Sequence, residues 1–200
     1  MIMKKMFLTV AILGIVILSS CTTVQPVAQT QASQNPFGQT FKLPCAEYDT
    51  KTEFAATGIY RGSMNQKGQL QAYALQNAQQ LVRMKAKHAY KGMVSDYSSS
   101  IGNNQGNDIE SKIQMAGDQM IDVILNDTEA TCVEFGAVQA DGHIECYVGI
   151  RVSKQEIAEK VSKTVANKLS EEEKMRIGFN EEQYREKMEQ RMQQYEEKNK

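Results

Sequence analysis

The stretch Thr131 to Val152, TCVEFGAVQADGHIECYVGIRV, narrows the fold more than any other. Two runs rich in strand-forming residues flank Ala140-Asp141-Gly142-His143. Asp-Gly at the centre of such a pair favours a two-residue type I′ hairpin, whose central residues both need positive φ. The register that follows sets Ala137 against Cys146, Phe135 against Val148 and Val133 against Ile150 on one face. Cys132 against Arg151, Gly136 against Tyr147 and Val138 against Glu145 form the other. The first face is apolar and the second mixed, and a slip of one residue would scramble both.

Around this hairpin the pattern alternates between periods. Glu53 to Ser63, EFAATGIYRGS, is partly β-branched or aromatic and closed by turn-forming residues, so a strand near 54–62 is predicted. Gly58 in its middle points to a bulge or a close-packed neighbour. A helix from about Gln69 to Ser98 carries Ala74, Ala78, Val82, Ala86, Ala89, Met93 and Tyr97 at spacings of three and four, a mostly small apolar face that lets it lie close to a sheet. Ser98 to Gly106 breaks it. A second helix is capped at Asn107 or Asp108 and runs to about Leu125, with Ile109, Ile113, Ala116, Met120, Val123 and Ile124 as its stripe. Ser153 with Glu156 reads as a capping box opening a third helix striped by Ile157, Val161, Val165 and Leu169. Ser170 with Glu173 repeats the box, Gly178 is a stop, and Asn180 with Gln183 starts a last helix whose Tyr184, Met188 and Tyr195 form only a narrow stripe. The order strand, helix, helix, hairpin, helix predicts an α+β fold: a small antiparallel sheet, the strand near 54–62 plus a hairpin over 130–152, packed against long helices with a C-terminal helical extension.

The N-terminal end is of another kind. Lys4 and Lys5 precede an apolar run, Phe7 to Leu18, too short to span a bilayer stably, which is the form of a secretory signal. Leu18-Ser19-Ser20-Cys21 resembles the bacterial lipobox, in which the cysteine is acylated and becomes the first residue after cleavage. Acyl chains on Cys21, palmitate among them, would supply the anchor at about 0.8 kcal/mol per buried CH₂. Thr22 to Thr40 is polar, uncharged and contains two prolines, and so reads as a flexible tether with a reach of about 25 Å. The expected organisation is signal peptide 1–20, tether 21–40, α+β domain 41–169 and an amphipathic helical tail 170–200, with the chain expected to stay folded when truncated at Gly178. Thr22 and Thr23 after the cysteine favour export to the outer membrane.

A net charge of −1 with interspersed signs gives no field for nucleic acid. With Cys21 acylated, three thiols remain, enough for one bridge. The hairpin register puts Cys146 on the helix-covered face and Cys132 on the mixed face, which a short segment such as Phe41 to Cys45 can cover, so a Cys45–Cys132 disulfide with Cys146 buried and reduced is expected.

No catalytic constellation stands out, and no enzyme activity, metal or cofactor is expected. His88, between Lys87 and Lys91, and His143, at the turn, read as surface residues. Asp118 and Asp122 lie one helical turn apart, as an acid–base pair could, yet no nucleophile or histidine lies near them in sequence. Asn103 to Asp108 lacks the ligand pattern of a calcium loop. Met64, Met84, Met93, Met115, Met120, Met175, Met188 and Met192 read mostly as core or stripe residues, and Tyr90, Tyr97 and Tyr147 as core tyrosines with rim hydroxyls.

From Phe54 through Ile157 the short glycine-containing strand, the alanine-seamed helix and a hairpin ending in Tyr147-Val148-Gly149-Ile150-Arg151-Val152 resemble the LPP-twenty lipoprotein family. Leu43-Pro44-Cys45 and the Leu169 to Lys174 region are similar to such lipoproteins from Bacteroides-like bacteria. The resemblance implies a small α/β envelope lipoprotein domain and brings no catalytic residue with it. The function expected is an outer-membrane-anchored, non-enzymatic structural or adaptor component that binds an envelope protein through its sheet edge or C-terminal helix. The alternative is a periplasmic or surface module binding a small ligand or glycan between helix and sheet.

Overall fold

A computed structural model describes residues 42–101 and 107–197. Strand β1 (Glu53–Ser63) leads through a short 3₁₀ turn at Met64–Gln66 into helix α1 (Lys67–Ile101). Helix α2 (Asn107–Asn126), strands β2 (Cys132–Phe135) and β3 (His143–Ser153), and helices α3 (Lys154–Lys168), α4 (Glu171–Ile177) and α5 (Glu181–Glu197) follow. The architecture is α+β: an antiparallel sheet in the order β1-β3-β2, with helices on one face.

Strand β3 is central and takes β1 along its whole length, Phe54 opposite Val152, Gly58 opposite Val148 and Tyr60 opposite Cys146. Phe54 and Ala56 thus share a face with Cys146, Val148, Ile150 and Val152, and all six are buried. Helix α1 lies on that face. A Cβ placed on Gly58 would stand 2.0 Å from the Ala74 carbonyl oxygen and 2.4 Å from the Ala78 nitrogen, so the missing side chain is the seat of the helix. Ala74, Ala78, Val82 and Ala86 are fully buried along the seam.

The hairpin differs from its expected form in two ways. The turn is not type I′: the Gly142 N–H donates to Gln139 O at 2.9 Å, which centres the turn on Ala140-Asp141, and Gly142 rather than Asp141 has positive φ (76°). Gln139 N–H donates in turn to His143 O at 2.8 Å, the pattern of a three-residue loop with a glycine bulge. The three-residue loop shifts the register by one and the irregular residues 136–138 add a second, so Phe135 faces Cys146, Val133 faces Val148 and Cys132 faces Gly149. A shift of two preserves which residues share a face. Residues 136–138 stay outside the ladder, which leaves β2 short.

Two helix stripes also depart from expectation. On α2, Ile109, Ile113, Ala116, Ile121, Ile124 and Leu125 are buried while Val123 is exposed, because the buried arc turns through 121 and 125 rather than 123. On α5, Tyr184, Met188 and Met192 are fully buried, packed in the same core as Tyr90, Val161 and Val165, so the helix is no detached tail. The Tyr184 hydroxyl lies 3.0 Å from that of Tyr90, which donates to Ile113 O at 2.7 Å. Burial pushes the pKa of both phenols far above the ordinary tyrosine value.

The caps act where the sequence places them. Ser153 accepts from Glu156 N at 3.2 Å, but the Glu156 carboxylate turns to Lys160, so that box is half formed. Ser170 and Glu173 form the complete box, Gly178 ends α4 in the left-handed region, and Asn180 caps α5 through Gln183 N. Lys112 on α2 holds the Glu173 carboxylate at 2.8 Å, and with the Ser170 N–H it lowers the Glu173 pKa to about 2. A depressed folded-state pKa stabilises above the unfolded value near 4.3 and is lost as pH falls toward 2. Glu173→Gln is therefore expected to flatten the acid limb of a pH–melting profile between about pH 4.3 and 2, with equal differences at pH 3 and pH 7 counting against the assignment.

Candidate functional site

The face of the sheet away from the helices carries the most organised polar structure among the described residues. Residues 45–49 cross it as a strap. Gly149 makes room: a Cβ there would meet Glu47 Cγ at 2.7 Å and Cys45 O at 3.1 Å. Thr57, opposite Gly149, donates to Cys45 O at 2.6 Å and accepts from Glu47 N–H at 3.0 Å. The Glu47 carboxylate, 10% exposed, takes Arg151 Nε at 2.6 Å and the Thr131 hydroxyl at 3.0 Å. The strap thereby ties together β1, β3 and the entry to β2.

Cys45 and Cys132 close the strap onto β2, with Sγ atoms 2.01 Å apart and Cα atoms 5.6 Å apart. These are the two thiols paired in the sequence reading, and the two-residue shift leaves Cys132 on the face it was assigned. Cys146 is buried and free, and burial pushes its thiol pKa up. Cys21 lies outside the described residues. Replacing Cys45 and Cys132 together by alanine is expected to cost about 2–4 kcal/mol, because the bridge spans 87 residues. Urea unfolding of both forms measures it, and an unchanged midpoint would show that the hydrogen bonds of the strap suffice alone.

The two edges of the sheet differ. On β1, Asp49 accepts from Ala55 N–H at 2.8 Å, Lys85 donates to Ala55 O at 2.7 Å, and Asn77 donates to Ile59 O at 2.9 Å. Side chains thus fill positions that an incoming strand would need. On β2, Val133 and Phe135 are exposed, with Lys67 Nζ 5.4 Å above the Phe135 ring. Exposed Tyr60 and Tyr73 stack at 4.7 Å, and Tyr60 is in the same cross-strand row as Phe135.

The other sequence candidates are scattered. His88 is exposed beside Tyr195 at 5.8 Å, and His143 Nδ1 is 3.3 Å from Asp141, which also binds Arg61 at 2.5 Å. Asp122 is engaged by Arg83 at 2.9 Å and Lys87 at 2.8 Å, which fits a charge pair better than a base. Its Oδ1 contact to Arg83 lacks hydrogen-bond geometry, and Asp118 Oδ1 is buried with no hydrogen-bond partner among the described residues. Both aspartates line an open cleft of about 790 Å³ between α1 and α2, with Lys91 and Gln114. The helix–sheet seam, the seat expected for a ligand, is instead filled by Gly58 and the alanines of α1. Tyr97 is at the rim of the core, Tyr90 is buried through its hydroxyl, and Tyr147 donates to Glu145, which raises its pKa to about 12. Of the methionines, Met93, Met188 and Met192 are buried, while Met64, Met84, Met115 and Met175 are exposed, more than their spacing suggested. Among the described residues no helix is long and apolar enough to cross a membrane.

The chain matches no protein-family model, no curated protein and no solved structure.

Proposed function

We propose that this chain is a bacterial envelope lipoprotein, held at the outer membrane by acylated Cys21, that works without catalysis as a structural or adaptor component for another envelope protein. One observation carries the reading: a charged start, a short apolar run, Leu18-Ser19-Ser20-Cys21 and an uncharged tether follow one another in that order. The fold is compatible with being held by its N-terminal end. A pull arriving at Cys45 passes through a covalent bond to β2 and through Glu47 to β3, so the domain need not unravel from its first residues. The resemblance to LPP-twenty lipoproteins, which rests on the order and pattern of elements, points the same way.

Of the two docking surfaces that the sequence leaves open, the β2 edge is the better. The apolar stripe of α5 is occupied in the core and the β1 edge is filled, whereas β2 presents exposed Val133 and Phe135. An extended apolar segment of an envelope protein could add there as a further strand. Two readouts test the proposal in cells. Palmitate labelling and detergent partitioning should be lost in Cys21→Ser. A photocrosslinker at Phe135 should give one discrete adduct that Val133→Pro removes, while one at exposed Met175 gives none. Wild-type partitioning of Cys21→Ser overturns the anchor, and adducts insensitive to Val133→Pro overturn the edge.

A second reading, a small polar ligand in the α1–α2 cleft, is favoured by one observation. The cleft is of ligand size at about 790 Å³, and the buried oxygen of Asp118 at its wall lacks a hydrogen-bond donor among the described residues.

A further inference from the structure

The strap and β2 bring a carboxylate to the disulfide. Glu134 follows Cys132 by two residues on β2, so both side chains leave the strand on one side. The Glu134 Oε1 atom lies 3.7 Å from Cys132 Sγ. The ligand atoms of Cys45, Cys132 and Glu134 all fall within 4.8 Å of one another. Around a tetrahedral zinc-like ion, with metal–sulfur bonds of about 2.3 Å and metal–oxygen bonds of about 2.0–2.2 Å, neighbouring ligand atoms stand roughly 3.5–3.8 Å apart. The Sγ–Oε1 spacing already meets that requirement. The two sulfurs, once unbonded, need only move apart by rotation about their side-chain torsions.

We propose that, when the Cys45–Cys132 bridge is reduced, Cys45, Cys132 and Glu134 form a thiolate–carboxylate site for a soft divalent cation of the zinc and cadmium class, with a fourth position open to water. Two thiolates select against magnesium and calcium, which prefer all-oxygen shells. The position of Cys45 does not depend on the disulfide alone, since Thr57 donates to its carbonyl and Glu47 anchors the strap to Arg151. Reduction by a trialkylphosphine is balanced: the phosphine and one water give the phosphine oxide, and the disulfide receives two electrons and two protons. Binding then displaces one proton from each thiol, and the carboxylate enters as the anion. The bridge thus acts as a redox gate on the site, closed when oxidised. This inference is independent of the membrane anchor.

The test uses the full-length chain in a Cys21→Ser background, so that Cys45, Cys132 and buried Cys146 are the thiols present. Cadmium is titrated into oxidised and phosphine-reduced samples, followed by the thiolate-to-metal charge-transfer absorption and by thermal melting. The expected result is saturation at one equivalent in the reduced sample alone, with a raised melting temperature and no response to magnesium. Glu134→Gln should weaken binding by at least the 10–100-fold that loss of an outer-shell partner costs. Cys132→Ser should abolish it, and Cys146→Ala should leave it intact. If reduction unfolds the chain, one equivalent of cadmium should restore cooperative melting. Absence of saturable binding, equal affinity in Glu134→Gln, binding to the oxidised form, or a reduced chain that cadmium does not refold would each overturn the proposal.

Discussion

Ending the chain after Gly178 is expected to abolish cooperative unfolding. The deletion removes Tyr184, Met188 and Met192, each fully buried, and strips the cover from Tyr90, Val161 and Val165. Truncating a single buried methionine to alanine costs about 2–5 kcal/mol, and losing a large aromatic costs about 3–5. A domain of this size has only about 5–15 kcal/mol in total, so losing all three side chains and the helix that carries them leaves no margin. Met188→Ala gives a graded version, with an expected loss of about 2–5 kcal/mol in urea unfolding and an unchanged m-value. A truncated chain that still melts in one sharp transition near the full-length temperature would show that α1 and α3 close over the gap.

The failure of the sequence to place α5 in the core has a physical cause. A stripe of Tyr184, Met188 and Met192, at spacings of four, covers a narrow arc of a helix, and a narrow arc suits a helix lying on a surface as well as one seated in a groove. What decides is whether neighbouring helices leave a slot, and the slot between α1 and α3 is made by residues far away in sequence. Long flexible methionines reach into it where a wider stripe of short residues would not. The hairpin failed differently. Asp141-Gly142 is compatible with either a two-residue turn or a three-residue turn with a glycine bulge, and in the form adopted Arg61 of β1, distant in sequence, holds Gln139 and Asp141. Because the longer loop and the irregular residues 136–138 together displace the ladder by two, an even number, the faces survived, and with them the placement of Cys132 and Cys146. Caps and the alanine seam were legible because they are local or periodic. The Glu47 hub was not, since its partners Thr131 and Arg151 lie 84 and 104 residues away and nothing near Glu47 marks it as buried.

Gly58→Ala is expected to be the most damaging single methyl addition in the domain, at about 3 kcal/mol or more, toward the upper end of what overpacking a core costs. The added carbon would lie 2.0 Å from the Ala74 carbonyl oxygen and 2.4 Å from the Ala78 nitrogen, both main-chain atoms that no rotamer change can move. Relief requires α1 to retreat from the sheet by roughly an ångström or more, and a rigid helix that lifts at Ala78 also lifts at Val82 and Ala86. Every contact along the seam then loosens, because dispersion falls off within an ångström of the optimum. The main-chain origin of the clash allows a sharper test than the loss itself. Ala78→Gly removes a Cβ only 3.0 Å from the new methyl but leaves both main-chain contacts, so the Gly58→Ala/Ala78→Gly double variant should recover little stability. Gly68→Ala, where an added Cβ meets nothing within 4 Å, should be neutral or slightly stabilising. Chemical denaturation of the four proteins decides the matter: full rescue by Ala78→Gly would mean that side-chain crowding, not helix-to-strand backbone approach, sets the distance between α1 and the sheet.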